Sequence, residues 1–316
     1  MAHSLAMFPG QGSQRVGMAR ELLEQFPRAL VLFEEAEDAS RIPIRKLCME
    51  GPDEALVLTA NQQPCLVTVS YAMWKVLQEE ANFTPDWVAG HSLGEYSALV
   101  ASKRLDFARA VYLVRQRGLF MQEAVLQGGG AMIAVIGPKL EETVPELCKT
   151  VSRITKKPVE IANYNSPEQW ILSGDQTAVE MAGLRCKEAK LRVMPLPVSA
   201  PFHSSLMAPA RKKMEPLLEA SLFGTGFGRI LANCTGKEAA PYTADLLATQ
   251  IDSPVFWQQS IQTAFEAGVR DFVEIGPGKV LSGLAPRCVS GEIQIYTAGT
   301  GLVEAVKILA SRRTLS

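Results

Sequence analysis

The sequence predicts an α/β fold, a large α/β-hydrolase-like domain with a mainly parallel sheet that carries a small inserted ferredoxin-like (βαββαβ) domain. Short apolar runs that stop at glycine or proline, at 5–8, 87–89 and 272–275, alternate with amphipathic stretches of helical period at 20–37, 66–80 and 106–125. That alternation is the signature of a parallel sheet covered by helices. Between Gly128-Gly129-Gly130 and Pro197 the rhythm changes to strand 131–136, helix 140–151, strand 159–164, strand 169–173, helix 177–189 and strand 192–196, the ferredoxin-like order. Glycines at its entrance give the chain freedom, and Pro195 and Pro197 stiffen its exit. The expected division is therefore a large domain over 1–127 and 198–316 with an insert over 128–197, leaving a cleft between them for a site. The run 223–228 reads as a glycine-rich surface loop.

Composition narrows the class of function. With 32 basic and 33 acidic side chains the net charge is −1, so no global field favours nucleic acid or an anionic membrane. The six cysteines show no metal-ligand spacing. The first apolar stretch breaks at Pro9-Gly10, without a secretory pattern, and no run of eighteen apolar residues occurs. A cytoplasmic protein that does not span a membrane and holds no metal is expected.

Gly90-His91-Ser92-Leu93-Gly94 fits G-x-S-x-G and lies between an apolar strand and a helical stretch, the context that a nucleophile elbow requires. The tight turn, whose strained backbone costs roughly 1–3 kcal/mol, pushes Ser92 into the open. The helix beginning there favours the negative charge that develops in acyl transfer. The competing reading is an N-capping serine between two glycines.

A serine nucleophile needs a base, and only three histidines exist. His3 lies near the start of the chain, and His91 adjoins Ser92 on a turn where neighbouring side chains diverge. His203, in Ala200-Pro201-Phe202-His203, follows directly after the insert and is the candidate. No acidic third member presents itself, so a backbone carbonyl or an amide side chain is left to orient it.

Phe8-Pro9-Gly10-Gln11-Gly12-Ser13-Gln14 follows the first strand; its spacing is neither a dinucleotide fingerprint nor a phosphate-binding loop. Alone it reads as a turn able to donate N–H groups to an oxyanion. Together with Gly90-His91-Ser92-Leu93-Gly94-Glu95, Asn163-Tyr164-Asn165-Ser166-Pro167, Ala200-Pro201-Phe202-His203 and Gly276-Pro277-Gly278-Lys279-Val280-Leu281, in that order, it makes the chain resemble the malonyl-CoA:acyl-carrier-protein transacylases of bacterial type II fatty-acid synthesis, from about Leu5 to Leu284.

The resemblance implies a serine that attacks the malonyl thioester, forms an acyl-enzyme and is relieved by the carrier's phosphopantetheine thiol. Ser92 and His203 match the family's nucleophile and base, and the backbone N–H groups of Gln11 and Leu93 match its oxyanion hole. Gln250, ahead of Ser253-Pro254-Val255-Phe256-Trp257, matches the amide residue assigned to orienting the histidine. Arg117 matches the arginine that pairs with the free malonyl carboxylate, where a charge-assisted bond is worth about 1.5–3 kcal/mol; outside the family, Arg115 and Arg117 would read as solvated helix charges. Gln63 matches a glutamine near the pocket, although helix capping would explain it equally. Phe202 resembles the bulky residue of malonyl-selective members, and excluding a methyl group is worth only about 1–3 kcal/mol. The asparagine-proline and glycine-proline motifs read as turns that shape the cleft.

The implied partners are malonyl-CoA and an acyl carrier protein, with no cofactor beyond the coenzyme A substrate, and a monomer is expected. Arg185, Lys187, Lys190, Arg192, Lys212 and Lys213 could meet an acidic carrier or remain solvated. A serine hydrolase would use the same elbow with water as acceptor, a stand-alone polyketide-synthase acyltransferase shares the motifs, and an inactive carrier-docking module is the non-enzymatic alternative.

Overall fold

The computed structural model describes residues 3–125, 129–198 and 200–313. The main sheet has the order β10-β9-β1-β2-β7-β8, built from β1 (His3–Phe8), β2 (Trp87–Gly90), β7 (Arg229–Ala232), β8 (Lys237–Glu238), β9 (Val269–Glu274) and β10 (Gln294–Thr297). All pairings in it are parallel except β7 with β8. The first strand explains why both faces are covered: Ala6 and Phe8 enter one core, and Leu5 and Met7 enter another on the opposite face. A strand whose residues on both faces are apolar, as Leu5 to Phe8 are, is stable only between two layers of helix. The Thr59–Glu80 helix packs into the first core, and the Trp257–Glu266 and Val280–Cys288 helices into the second.

The second sheet, β4-β5-β3-β6, is antiparallel and comprises β3 (Ala131–Ile136), β4 (Val159–Ser166), β5 (Gln169–Gly174) and β6 (Arg192–Pro195), with the Leu140–Thr155 and Gln176–Glu188 helices on one face. Ile133 and Val135 join those helices in a local core, whereas Met132 and Ala134 turn to the main core. The insert therefore shares its second face with the large unit. A short parallel bridge joins them too, with Tyr164 donating to the Val255 carbonyl at 2.9 Å and Val255 donating to that of Ala162 at 2.8 Å. The end of the expected large-domain segment at 127, and Gly128, lie outside the described residues.

Local elements depart from the sequence pattern where proline or tertiary pairing intervenes. The helix expected over 20–37 is split into Arg20–Gln25, a 3-10 turn at Pro27–Ala29 and Leu30–Ser40, because Pro27 has no N–H to continue the ladder. The helix expected from 66 starts at Thr59 and carries Pro64 within it. Asn163 to Ser166 are not a turn; they complete β4, and the chain reverses only at Pro167 and Glu168. The 223–228 loop is capped by Arg104, which donates to the carbonyls of Phe227 at 2.8 Å and Gly228 at 2.7 Å. Among the described residues no helix is long and apolar enough to cross a membrane.

The C-terminal ends of β1 and β2 lie side by side, with Phe8 in register with Gly90 and His91 donating to the Phe8 carbonyl at 2.9 Å. This crowding fixes two glycines, since a Cβ at Gly94 would lie 2.0 Å from the Phe8 oxygen and one at Gly90 would lie 1.9 Å from the Gly94 backbone. Gly94→Ala is expected to lower the thermal midpoint by at least about 5 °C. Gly183→Ala, whose Cβ would meet nothing nearer than 3.4 Å, should move it by less than about 2 °C. Equal midpoints in a thermal melt would contradict this account of the elbow.

Candidate active site

Ser92 sits at the turn between β2 and the Gly94–Ala101 helix, with φ at +51°. A non-glycine residue in that region is strained, and here the strain is held from both sides. Asn233, just after β7, accepts from the Ser92 backbone N–H at 2.6 Å and donates its side-chain amide to the Gly90 carbonyl at 2.6 Å. The Ser92 N–H is thereby occupied. The backbone N–H groups of Leu93 and Gln11 have no acceptor among the described residues and flank the same turn.

His203 also has positive φ, +58°, and its Nε2 lies 2.7 Å from Ser92 Oγ. Its Nδ1 faces two carbonyl oxygens, Gln250 at 2.8 Å and Ser253 at 3.2 Å. Carbonyls only accept, so Nδ1 carries the proton, Nε2 is left as an acceptor, and the serine hydroxyl donates to it. Burial, then the nearby Arg117 charge, pulls the imidazole down to about 3, so it is neutral at physiological pH.

Gln250 meets His203 through its backbone, not through its amide as the resemblance suggested. The side chain does something else: Nε2 donates to the Ser92 carbonyl at 2.8 Å and to Glu95 Oε2 at 2.7 Å, while Oε1 accepts from Arg117 Nη2 at 3.0 Å. Acceptors on one side and a donor on the other leave the amide a single orientation.

Arg117, on the Phe107–Val125 helix, is not a solvated helix charge: it is 1% exposed, whereas Arg115 is only partly buried and donates to Asn61 Oδ1 at 2.9 Å. Arg117 donates to Gln63 Oε1 at 2.7 Å and to Ser92 Oγ at 3.3 Å, and its cation lies 5.9 Å from the Tyr96 ring centre. Its Nε–H has no partner, and no carboxylate among the described residues lies within ion-pair distance. Gln63 is thus a buried support of the guanidinium and not a helix cap. Phe202 is buried in the main core beside His203. The structure brings Ser92, His203, Gln250, Arg117 and Gln63 into one hydrogen-bonded network, with Gln11 and Leu93 on adjoining turns. Gln11 donates to Gln62 Oε1 at 2.5 Å through its side chain.

Two members of this network are given no role by the sequence. Asn233 is distant in the chain and lies in no motif. Glu95 ends the elbow motif, yet it does not touch His203; it accepts from the Asn233 backbone at 3.0 Å and from Gln250. Burial drives its carboxyl up to about 7. His91 points away from Ser92, its Nε2 2.8 Å from Asn165 Oδ1 on β4, so it links the elbow to the insert.

The acyl transferase domain family model matches residues 7–292. The malonyl CoA-acyl carrier protein transacylase of Bacillus subtilis (strain 168) is 44% identical over 287 residues, covering 89% of each chain. That of Escherichia coli (strain K12) is 41% identical over 286 residues, covering 90% of this chain and 92% of its own. The crystal structure of FabD from Acinetobacter baumannii superposes with a TM-score of 0.93 at 37% identity, covering 99% of this chain and 100% of that one. A malonyl-transacylase in complex with a type II polyketide-synthase acyl-carrier protein gives a TM-score of 0.91 at 38% identity, covering 98% and 100%.

If His203 serves Ser92 as base, its neutrality at low pH has a measurable consequence. The single-turnover rate of Ser92 acylation by saturating acetyl-CoA is expected to stay flat from about pH 8 to about pH 5.5, because His203 titrates far below an ordinary histidine. A midpoint near about 6.5 would show an unperturbed base. For stability the sign is opposite: the unfolded chain gains the proton that folding excludes, so His203 destabilises the fold as pH drops below about 6.5.

Proposed function

This chain belongs to the acyl transferase domain family and, within it, to the malonyl CoA-acyl carrier protein transacylases, and we propose that it transfers malonyl from coenzyme A to a carrier protein through an acyl-enzyme on Ser92. It is an acyltransferase. Its relatives support malonyl transfer to acyl carrier protein in fatty-acid synthesis as the overall reaction.

The observation that carries the reading is the buried Arg117 guanidinium, which touches Ser92 Oγ and has amide and hydroxyl partners but no carboxylate. A buried charge with no carboxylate in direct contact is costly. A site of this kind is set to receive an anion, and the free carboxylate of a malonyl thioester is an anion placed a short reach from the carbonyl that Ser92 must attack. A planar guanidinium with an unpartnered N–H suits a planar carboxylate.

In the proposed cycle, Ser92 Oγ attacks the thioester carbonyl while its proton passes to His203 Nε2, and the backbone N–H groups of Gln11 and Leu93 hold the oxyanion. The tetrahedral intermediate collapses, the carbon–sulfur bond breaks, and the coenzyme A thiolate takes the proton from His203. A buried imidazolium is a far stronger acid than a thiol, so this second transfer runs downhill. The phosphopantetheine thiol of the carrier then repeats the sequence in reverse, giving its proton to His203, taking the malonyl group and leaving Ser92 protonated. The substrate carboxylate contributes twice, since neutralising Arg117 also removes the positive charge that depresses His203. Every proton transfer in the cycle runs through His203, and the cycle calls for no cofactor.

The likeness to a transacylase bound to a polyketide-synthase carrier makes a polyketide carrier the second acceptor to test. Intact mass spectrometry after brief mixing with malonyl-CoA should show one malonyl adduct, discharged on adding phosphopantetheinylated fatty-acid carrier. Ser92→Ala should show none. An adduct that persists in Ser92→Ala would remove the nucleophile, and one lost to water equally fast without any carrier would make the protein a hydrolase.

A further inference from the structure

Glu95 lies one helical turn beyond Ser92 and is 1% exposed. Both of its oxygens accept, Oε1 from the Asn233 backbone at 3.0 Å and Oε2 from Gln250 Nε2 at 2.7 Å. The same Gln250 amide accepts from Arg117 Nη2 at 3.0 Å. Glu95 thus reaches the guanidinium through one amide group and forms no direct ion pair with it. Facing Glu95 are Arg117 from the Phe107–Val125 helix, Tyr96 from its own helix, and Cys234 and Tyr242 from the segments on either side of β8. Burial pushes both tyrosines up and Cys234 up to about 11, so all three are neutral near pH 7. Among the described residues, Arg117 is therefore the charge that Glu95 balances.

We propose that Glu95 is a positioning residue whose carboxylate holds Arg117 ready through Gln250, and that it takes up one proton from solvent when a substrate carboxylate occupies Arg117. The inference rests on reading Arg117 as a clamp for the substrate's free carboxylate. Two carboxylates cannot share one buried guanidinium without raising each other's affinity for protons. The proton has a place to go: the Tyr242 hydroxyl lies beside Glu95 without a well-formed hydrogen bond and can accept from the new O–H, while both carboxyl oxygens keep a lone pair for Asn233 and Gln250. Burial already brings Glu95 to about 7, with Arg117 as an opposing influence, so loss of that influence moves it upward from there.

The sign follows from linkage. Above about pH 7 a proton must be acquired on binding, so malonyl use falls as pH rises, approaching tenfold per pH unit. Acetyl-CoA carries no second anion and shares every coenzyme A ionisation, so the malonyl-to-acetyl ratio of kcat/KM isolates the effect. Measured by single-turnover acylation from about pH 6 to about pH 9, this ratio should fall by roughly fiftyfold in the wild type and stay flat in Glu95→Gln. Should the Gln variant fail to fold, malonyl-CoA binding to Ser92→Ala in buffers of differing ionisation enthalpy reads the same quantity. Uptake close to one proton at about pH 8 is expected there, and none with acetyl-CoA. A flat wild-type ratio with malonyl still preferred, a slope that survives Glu95→Gln, or zero proton uptake would overturn the inference while leaving the clamp in place. Absence of malonyl preference at every pH would instead remove the clamp.

Discussion

A buried guanidinium without a carboxylate beside it is the constraint from which the rest of the site follows. Arg117 is held by the Gln63 and Gln250 amides and by Ser92 Oγ, with its Nε–H left unpartnered. Amides and a hydroxyl solvate the charge without cancelling it, so it stays attractive to an incoming anion. Gln250 is the pivot, because its side chain contacts Arg117, Glu95 and the Ser92 carbonyl while its backbone oxygen aligns His203. In the proposed cycle, recognition of a carboxylate and activation of the serine therefore depend on the same few atoms.

The fold supplies the rigidity that such coupling needs. Two parallel strands end together, and Gly90 at the end of β2 and Gly94 let the elbow pass within contact of the first loop. Strained backbone at Ser92 and His203 is held by Asn233 on one side and by the Gln250 and Ser253 carbonyls on the other. The segment carrying Ser253 is itself paired to β4 of the insert through Val255, and His91 makes a second link through Asn165. The insert thus braces the segment that orients His203.

Much of this was legible in the chain. The elbow is a local strand-turn-helix, and the insert repeats a pattern of strands and helices that periodicity exposes. Where reading failed, the cause lies in contacts between remote segments. Gln250 and Ser92 are 158 positions apart and Asn233 and Glu95 are 138 apart, and no local pattern announces such pairs. Residue type alone also cannot show that Gln250 serves His203 through its carbonyl, since a backbone oxygen leaves no mark on the sequence. At 163–166 an asparagine-proline motif suggested a turn, but pairing of β4 with β5 and with Val255 kept the chain extended past it.

In the proposed cycle Arg117 makes the site selective for a carboxylate while sparing the chemistry at Ser92. The most direct measurement is the rate of Ser92 acylation by malonyl-CoA and by acetyl-CoA in Arg117→Ala. Loss of a charge-assisted contact predicts that kcat/KM for malonyl-CoA falls by about tenfold to hundredfold, with acetyl-CoA used as well as before or better. Malonyl preference that survives the substitution intact would contradict the account and place the carboxylate elsewhere.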